Sequence, residues 1–281
     1  MRRMARPPTL AARRLGRELN RLRNEAGLSI DEAAARTGLS TSKISRSENA
    51  LVRVASDDAR TMCEAYGADT ATVERLAALA RASRKRGWWV PYKVDDHLAA
   101  FLELEDEAVS ESAWTIDIVT GLLQTEDYAH ALVRAGNPHM SAEDVKARVE
   151  LRMRRQERRL NDIMLWAVIG EPALMYPVGG AAVMRHQLEH LLDAAERPNV
   201  VVQILPFSAG ATVAMGSPFH LFDLGQRGPV TAHVDYHTGS VYVEDKDEVE
   251  QYNRTFQHLT ASALSAADSR QRIVRAVEEM R

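Results

Sequence analysis

The side chains with the most distinctive chemistry form one short run, Thr41-Ser42-Lys43-Ile44-Ser45-Arg46. Its hydroxyl, ammonium and guanidinium groups can hydrogen-bond to the edges of DNA bases and to phosphates. Because Ile44 is its apolar residue, the run has one face for a protein core and one polar, basic face for a partner. This combination is typical of a helix that enters the major groove of DNA.

Local signals place this run on the second of two crossing helices. Ser29-Ile30-Asp31-Glu32 is a capping box, and it opens a short helix that ends at Gly38. Ser40 caps the next helix, residues 41–49, so the connection Thr37-Gly38-Leu39-Ser40 is a tight turn. Glycine lets such a turn bend sharply, which brings the two helices together at a steep angle.

Further helices surround this pair. Apolar residues recur at helical spacing over residues 9–26, where the arginines lie off the apolar face. Two more helices are predicted, one from residue 56 to residue 66 and one over residues 71–84. The sequence therefore predicts an N-terminal all-α domain of five helices.

The charge is distributed unevenly along the 281 residues. The net charge is −3, but residues 1–90 carry 18 Lys and Arg against 10 Asp and Glu, and the remainder carries 18 against 29. A basic part followed by an acidic one indicates that the first meets a polyanion and the second has another role. No apolar run approaches the roughly 20 residues of a membrane span. The single cysteine, Cys63, excludes an internal disulfide, so we expect a cytoplasmic, nucleoid-associated protein.

Residues 1–8, MRRMARPP, are predicted to be a flexible basic arm, since Pro-Pro and unpatterned arginines form no packed structure. Insertion of this arm into a minor groove is the alternative. The composition changes at Trp88-Trp89-Val90-Pro91-Tyr92. We therefore predict a DNA-binding domain over residues 9–86 and a second domain over residues 87–281.

Residues 28–49, LSIDEAAARTGLSTSKISRSEN, resemble the helix-turn-helix of phage-repressor-like regulators of the xenobiotic-response-element type. The resemblance implies that an arginine of the first helix, here Arg23, pairs with a glutamate after the recognition helix, here Glu48. It also implies contacts to DNA on and beside the recognition helix. The predicted DNA-binding residues are Ser29, Ser40, Thr41, Ser42, Lys43, Ser45, Arg46 and Arg53.

Three residues depart from that family's pattern. Ile30 replaces a glutamine at the start of the second helix, which removes one phosphate or base contact. Ser47 stands where an apolar residue usually packs, and Ala50 stands where a glycine usually turns. The last two departures bear on how the chain leaves the recognition helix.

Beyond residue 87 the pattern mixes helices with short apolar runs. Predicted strands cover residues 163–169, 200–205, 219–224, 230–236 and 240–244. Predicted helices cover residues 95–113, 125–135, 142–160, 181–195, 245–263 and 266–280. We therefore expect an α+β domain around one mixed sheet of about five strands.

A second resemblance covers most of this domain. Its landmarks are GLLQTEDYA at 121–129, RMRRQ at 152–156, PVGG at 177–180, Gln187-Leu188, LPFSAG at 205–210 and YVE at 242–244. They are similar to a regulatory domain that follows the same helix-turn-helix in a large family of actinobacterial, antitoxin-like regulators. Thr120 replaces the proline that usually precedes the GLLQT motif. Regulators of that family often lie beside genes for small partner proteins, so the resemblance implies such a partner.

Four arginines form a basic stripe at helical spacing inside the acidic domain, namely Arg148, Arg152, Arg155 and Arg159. Three interpretations stay open: pairing with carboxylates of the same domain, a site for a partner or an anion, and a second contact to DNA. GLLQT is predicted to be a turn that enters a helix. The loop LPFSAG, which closes a strand, is interpreted in the same way, as structural.

Signals for catalysis are weak. His186-Gln187-Leu188-Glu189-His190 matches the H-x-x-E-H pattern of inverted zinc peptidases, but no third ligand is indicated downstream. His233 and His237 form a looser pair, and Cys63 lies in an apolar run. A nucleophile elbow, a P-loop and a dinucleotide-binding fingerprint are all missing from the sequence. We expect a protein that is not an enzyme and has no metal or cofactor.

The favoured interpretation is a homodimeric, sequence-specific transcriptional regulator of double-stranded DNA. Its acidic domain would receive a signal from a small partner protein or a ligand. The alternative is an antitoxin-like protein that sequesters a small basic partner and regulates its own operon through DNA binding.

Overall fold

The computed structural model describes residues 9–83, 87–92, 94–237 and 239–280. The predicted basic arm, residues 1–8, lies outside them. The protein divides into two compact units, Met1–Glu103 and Leu104–Arg281. This division falls later than the boundary predicted after residue 86, because a helix that begins at Asp96 contributes its first turns to the first unit. The predicted domain ranges 9–86 and 87–281 stay predictions.

Five helices form the helix-turn-helix part of the first unit, as the sequence predicts. They are α1 (Leu10–Glu25), α2 (Ile30–Thr37), α3 (Thr41–Glu48), α4 (Ser56–Ala65) and α5 (Thr70–Ala82). A 3-10 turn, Val90–Tyr92, and the helix α6 (Asp96–Glu107) follow.

Small aliphatic side chains from all five of the first helices fill one core. Its buried members include Leu15, Leu19, Leu22, Ala33, Ile44, Ala59, Met62, Val73, Leu76 and Ala80. Cys63 belongs to this core, where burial raises the pKa of its thiol to about 11. A thiol that stays protonated in an apolar core is inert, which agrees with the place of Cys63 in an apolar run of the sequence.

The second unit is an α+β domain around a six-stranded mixed sheet. Its strands are β1 (Ser110–Thr115), β2 (Met164–Gly170), β3 (Val200–Leu205), β4 (Phe219–Asp223), β5 (Thr231–Tyr236) and β6 (Gly239–Val243). Its remaining helices are α7 (Glu126–Gly136), α8 (Ala142–Arg159), α9 (Pro172–Met175), α10 (Ala181–Ala194), α11 (Lys246–Ser262) and α12 (Ala266–Glu279).

The strand order is β3-β2-β1-β4-β5-β6. The first three strands along the chain are parallel, and β4, β5 and β6 extend the sheet in antiparallel fashion from β1. Parallel neighbours need long crossovers, which the helices α7, α8 and α10 supply. The carboxyl ends of β1, β2 and β3 therefore meet at one edge of the sheet.

The two faces of the sheet differ in character. One face is apolar and packs with Phe256 and Leu259 of α11, around Trp114 and Phe219. The other face carries polar side chains in its antiparallel half. Glu111 of β1 lies 2.8 Å from Nδ1 of His220, and β5 and β6 place His233 and Tyr242 next to it in register.

The prediction of a helix over residues 95–113 is wrong at its carboxyl end. The helix α6 ends at Glu107, and the strand β1 begins at Ser110. The sequence pattern did not predict this strand because Glu111 occupies one of its buried positions, where a strand usually has an apolar residue. With this additional strand the sheet has six strands, where about five were predicted.

Candidate nucleic-acid interface

The first helix of the motif, α2, begins at a complete capping box. The Ser29 hydroxyl accepts a hydrogen bond from the Glu32 N–H at 3.2 Å, and the Glu32 carboxylate accepts one from the Ser29 N–H at 2.8 Å. These bonds satisfy backbone donors that have no partner within a helix. The structure thus places the predicted DNA contact Ser29 in the cap of α2, where its side chain remains exposed.

The second helix of the motif, α3, which the sequence predicts to be the recognition helix, follows a glycine turn. Gly38 ends α2 with φ of 72°, a left-handed conformation that favours glycine. Ser40 then caps α3, because its hydroxyl accepts a hydrogen bond from the Lys43 N–H at 3.2 Å.

One face of α3 is buried and the other is solvent-facing. Ile44, Ser47 and Glu48 are buried, and Ser45 is half-buried. The exposed members of the predicted set on this helix are Thr41, Ser42, Lys43 and Arg46. The exposed face of α3 therefore presents hydroxyls and cations to solvent, as groove recognition requires.

A buried ion pair fixes α3 to α1. Arg23 donates two hydrogen bonds to the Glu48 carboxylate, each at 2.8 Å, and a third to the Leu28 carbonyl at 2.8 Å. Asn20 donates to the same carboxylate at 2.9 Å. The hydrogen bond to Glu48 raises the pKa of the Arg23 guanidinium. The pair joins the two positions that the resemblance implies, and it holds the recognition helix against its scaffold.

Two small residues set the spacing at the end of α3. A Cβ atom at Gly16 of α1 would lie 2.5 Å from the Glu48 carbonyl oxygen and 2.9 Å from that of Ser47. The backbones of α1 and α3 therefore touch, and the small Ser47 is buried beside this contact. Ala50, the position where the resemblance leads us to expect a glycine, adopts a left-handed conformation with φ of 53°.

The basic residues of the interface differ in their partners. The Lys43 ammonium lies 2.8 Å from the Asp58 carboxylate of α4. Within the part of the chain that the structure describes, Arg46 and Arg53 have no ion pair, and both are exposed. Asp58 was not among the predicted site residues, since its place in the first turn of α4 indicates a helix start but not a contact with Lys43.

The four arginines of the acidic domain do not form a single site. Arg155 is buried and donates two hydrogen bonds to Glu105, at 2.9 and 2.6 Å. Arg159 donates to the carbonyl of Ala108. Arg152 contacts a neutral amide, and Arg148 is exposed. Internal pairing thus accounts for Arg155, but not for the whole stripe.

Two side chains of α8 and α10 hold the GLLQT loop, residues 119–125. Gln156 donates to two carbonyls of this loop at 2.9 and 2.7 Å. The buried Gln187 donates to the Leu123 carbonyl and accepts from the Thr125 N–H, both at 2.7 Å. Three of the sequence landmarks are therefore one hydrogen-bonded structure, and Thr125 caps α7 as the predicted helix entry requires.

The histidines of the H-x-x-E-H pattern lie on α10, next to the buried Gln187. Burial lowers the pKa of His190. Among the described residues, no three His, Cys, Asp or Glu side chains are placed to hold a metal ion. No helix in the described ranges is both long and apolar enough to cross a membrane.

Comparison with protein families gives two matches. Residues 14–85 match the model of a helix-turn-helix domain. Residues 98–275 match the model described as "Domain of unknown function (DUF5753)". Comparison with curated proteins and with solved structures finds no match.

Proposed function

The chain belongs to the DUF5753 family, and because a helix-turn-helix domain precedes that domain here, we propose that the protein is a sequence-specific transcriptional regulator. The observation that carries the proposal is the division of α3 into a buried face and an exposed face of hydroxyls and cations. Such a helix has its specific partner in the major groove, where each base pair presents a distinct set of donors and acceptors.

In the proposed complex α3 lies in the major groove with its N-terminal turn towards the bases. Arg46 makes a bidentate contact to guanine, the commonest specific contact of this side chain. Thr41, Ser42 and Ser45 contact bases through their hydroxyls, and Lys43 contacts a base or a phosphate after it leaves Asp58. Arg53 contacts a phosphate and so adds affinity without sequence preference.

A homodimer is the proposed active form. Two recognition helices would then read half-sites about 34 Å apart, one turn of the duplex, on a palindromic operator. The acidic DUF5753 domain would carry the dimer contact or receive a signal. Its role is proposed to be non-enzymatic, because the sequence carries none of the nucleophile-elbow, P-loop or dinucleotide-binding motifs.

The first experiment measures operator binding. Bound sequences are selected from a random duplex library, and the affinity of the best one is measured by fluorescence anisotropy. Arg46→Ala should weaken specific binding by about 1–3 kcal/mol and relax the preference at one base pair. Arg75→Ala is the matched control, since this exposed arginine of α5 pairs with Glu18 and does not belong to the α3 surface. Equal operator affinity for wild type and Arg46→Ala would contradict the assignment of Arg46.

The second candidate function is an antitoxin that sequesters a small basic partner. The excess of acidic residues after residue 90 favours it, since 29 Asp and Glu stand there against 18 Lys and Arg. Purification from the native source tests this, because the model requires a stoichiometric small basic protein that stays bound and dissociates at high salt. A pure dimer from the same source would contradict it and leave the regulator proposal intact.

A further inference from the structure

Arg152 on α8 is a half-buried cation without a carboxylate partner among the described residues. Its one hydrogen bond runs from a terminal N–H to the side-chain oxygen of Gln124, at 2.5 Å. A guanidinium has five donor N–H groups in a planar fork, and the structure shows one of those on Arg152 bonded to the described part of the protein, which leaves the other four without a protein acceptor.

The loop beside Arg152 holds this side chain in place. The Gln124 amide donates to the Val119 carbonyl at 2.6 Å, so its oxygen is turned towards Arg152. Gly121 approaches the neighbouring Arg155 so closely that a Cβ atom would lie 3.4 Å from a terminal nitrogen of that side chain. The hydrogen bond to Gln124 thus orients the Arg152 guanidinium before any ligand arrives, which lowers the entropy cost of binding.

Nearby charges leave the cation uncompensated. Both carboxylate oxygens of Glu105 are bound to Arg155. Burial, followed by repulsion from Arg155, lowers the pKa of Arg152 to about 10, while Glu105 opposes this shift and Arg148 adds to it. An anion bound at Arg152 would relieve this repulsion, because it supplies the negative charge that the surroundings lack.

We propose that Arg152, together with Arg148 one turn earlier on α8, forms a binding site for an oxyanion, the phosphate or carboxylate group of a small ligand. Planar bidentate recognition of such groups is the particular property of arginine. The site lies between α8 and residues 119–125, the loop that follows β1 in the chain and holds Gln124. The use of this site as the signal input of the regulator rests on the function proposed above.

Thermal unfolding of the full chain tests the site with two probes, inorganic phosphate and acetate, each against chloride at equal ionic strength. A ligand that binds only the folded state raises the unfolding midpoint in a saturable way. Wild type should respond to at least one probe, and a response to phosphate alone would assign a phosphorylated ligand. Calorimetric titration then gives the affinity, which Arg152→Gln should weaken at least about tenfold, as expected for the loss of a charged hydrogen-bonding group.

Arg154→Gln is the matched control, because Arg154 lies on the same helix, is exposed and pairs with Glu157. This variant should respond as wild type does. Equal responses of wild type and Arg152→Gln, or no response of wild type to either probe, would overturn the proposal. If Arg152→Gln does not fold, the same measurements are made on Arg148→Gln, whose side chain is exposed in the wild type. If this variant binds the probes as tightly as wild type does, the two-arginine site is overturned. Because no DNA is present, the outcome is independent of whether α3 binds an operator.

Discussion

Ala50 adopts a left-handed backbone directly after the recognition helix, with φ of 53°. For a residue with a Cβ atom this conformation costs roughly 1–2 kcal/mol, while glycine adopts it freely. Ala50→Gly should therefore keep or raise the free energy of unfolding, by up to about 1 kcal/mol after the entropy cost of glycine is subtracted. Ala50→Val should lower it by about 2 kcal/mol, since a β-branched residue tolerates this region worst. Urea denaturation of both variants measures the difference, and a more stable valine variant would contradict the backbone assignment.

His233 makes the second unit sensitive to acid. Burial lowers the pKa of this imidazole, although the Asp235 carboxylate at 3.2 Å acts in the opposite direction. Below about pH 6.5 the His233 imidazole is therefore protonated in the unfolded chain but stays neutral in the native state until the pH is lower. Stability should be fully present above that pH and fall as the pH drops towards 5, by up to about 1.4 kcal/mol per pH unit for this one group.

The comparison that isolates this effect is the slope of unfolding free energy between pH 5 and pH 7. His233→Gln should show a smaller slope than wild type, whatever its stability at neutral pH. Replacing the exposed His258 by Gln is the control, and it should leave the slope unchanged. Identical slopes for all three proteins would show that His233 takes up its proton equally in both states.

At the scale of elements, the contact between α1 and α3 depends on Gly16. A methyl group at this position would lie 2.5 Å from a backbone carbonyl oxygen, a distance that real Cβ atoms do not show. Gly16→Ala should therefore push the helices apart and cost about 1–3 kcal/mol of stability, as overpacking of a core does. It should also weaken operator binding, because α3 moves relative to its scaffold.

Gly136→Ala provides the control for that substitution. Gly136 ends α7, and a Cβ atom there would meet nothing within 4 Å. Its variant should show no loss of stability in the same thermal or urea assay. If Gly16→Ala is equally stable, the close approach of α1 and α3 is not required for folding.

The elements of the first unit could be predicted because their ends carry local chemistry. Ser29 and Ser40 cap α2 and α3, and Gly38 stops α2, so short-range signals were sufficient. The strand β1 was hidden because its buried Glu111 is stabilised by His220, which lies 109 residues away in the chain. A sequence pattern shows whether a residue is polar, but it does not show that a distant partner will satisfy it.

The same limit applies to the candidate sites. The spacing of four arginines predicted a basic stripe, yet only the fold shows that Glu105 neutralises Arg155 and leaves Arg152 with an amide. Likewise, Asp58 is a helix-start residue by sequence, and its contact with Lys43 follows from the packing of α4 beside α3. Residue types were predictable, whereas the pairs they form were not.

For the whole molecule, the uneven charge predicts how DNA binding responds to salt. The net charge of −3 would repel a duplex, so the basic first part must supply the attraction. The logarithm of the binding constant should fall linearly with the logarithm of salt concentration, by about 0.9 for each phosphate neutralised. Arg53→Ala should reduce this slope by about 1 and weaken all duplexes alike. A variant that keeps the wild-type slope would exclude Arg53 from phosphate contact.

The contact between Lys43 and Asp58 has a consequence for how the protein finds its target on a chromosome. On a non-specific stretch of duplex, Lys43 would exchange the Asp58 carboxylate for a phosphate. Because both are oxyanions, this exchange would add little binding free energy. Exposed ion pairs of this kind contribute roughly 0.2–1 kcal/mol, which would reduce the affinity for non-specific DNA by up to about fivefold. At a specific site, additional hydrogen bonds to base acceptors would compensate for the loss of the Lys43–Asp58 pair. In the proposed complex, the Asp58 carboxylate would therefore compete with the phosphates of random DNA for Lys43 and shorten the time that the protein spends on non-specific sites.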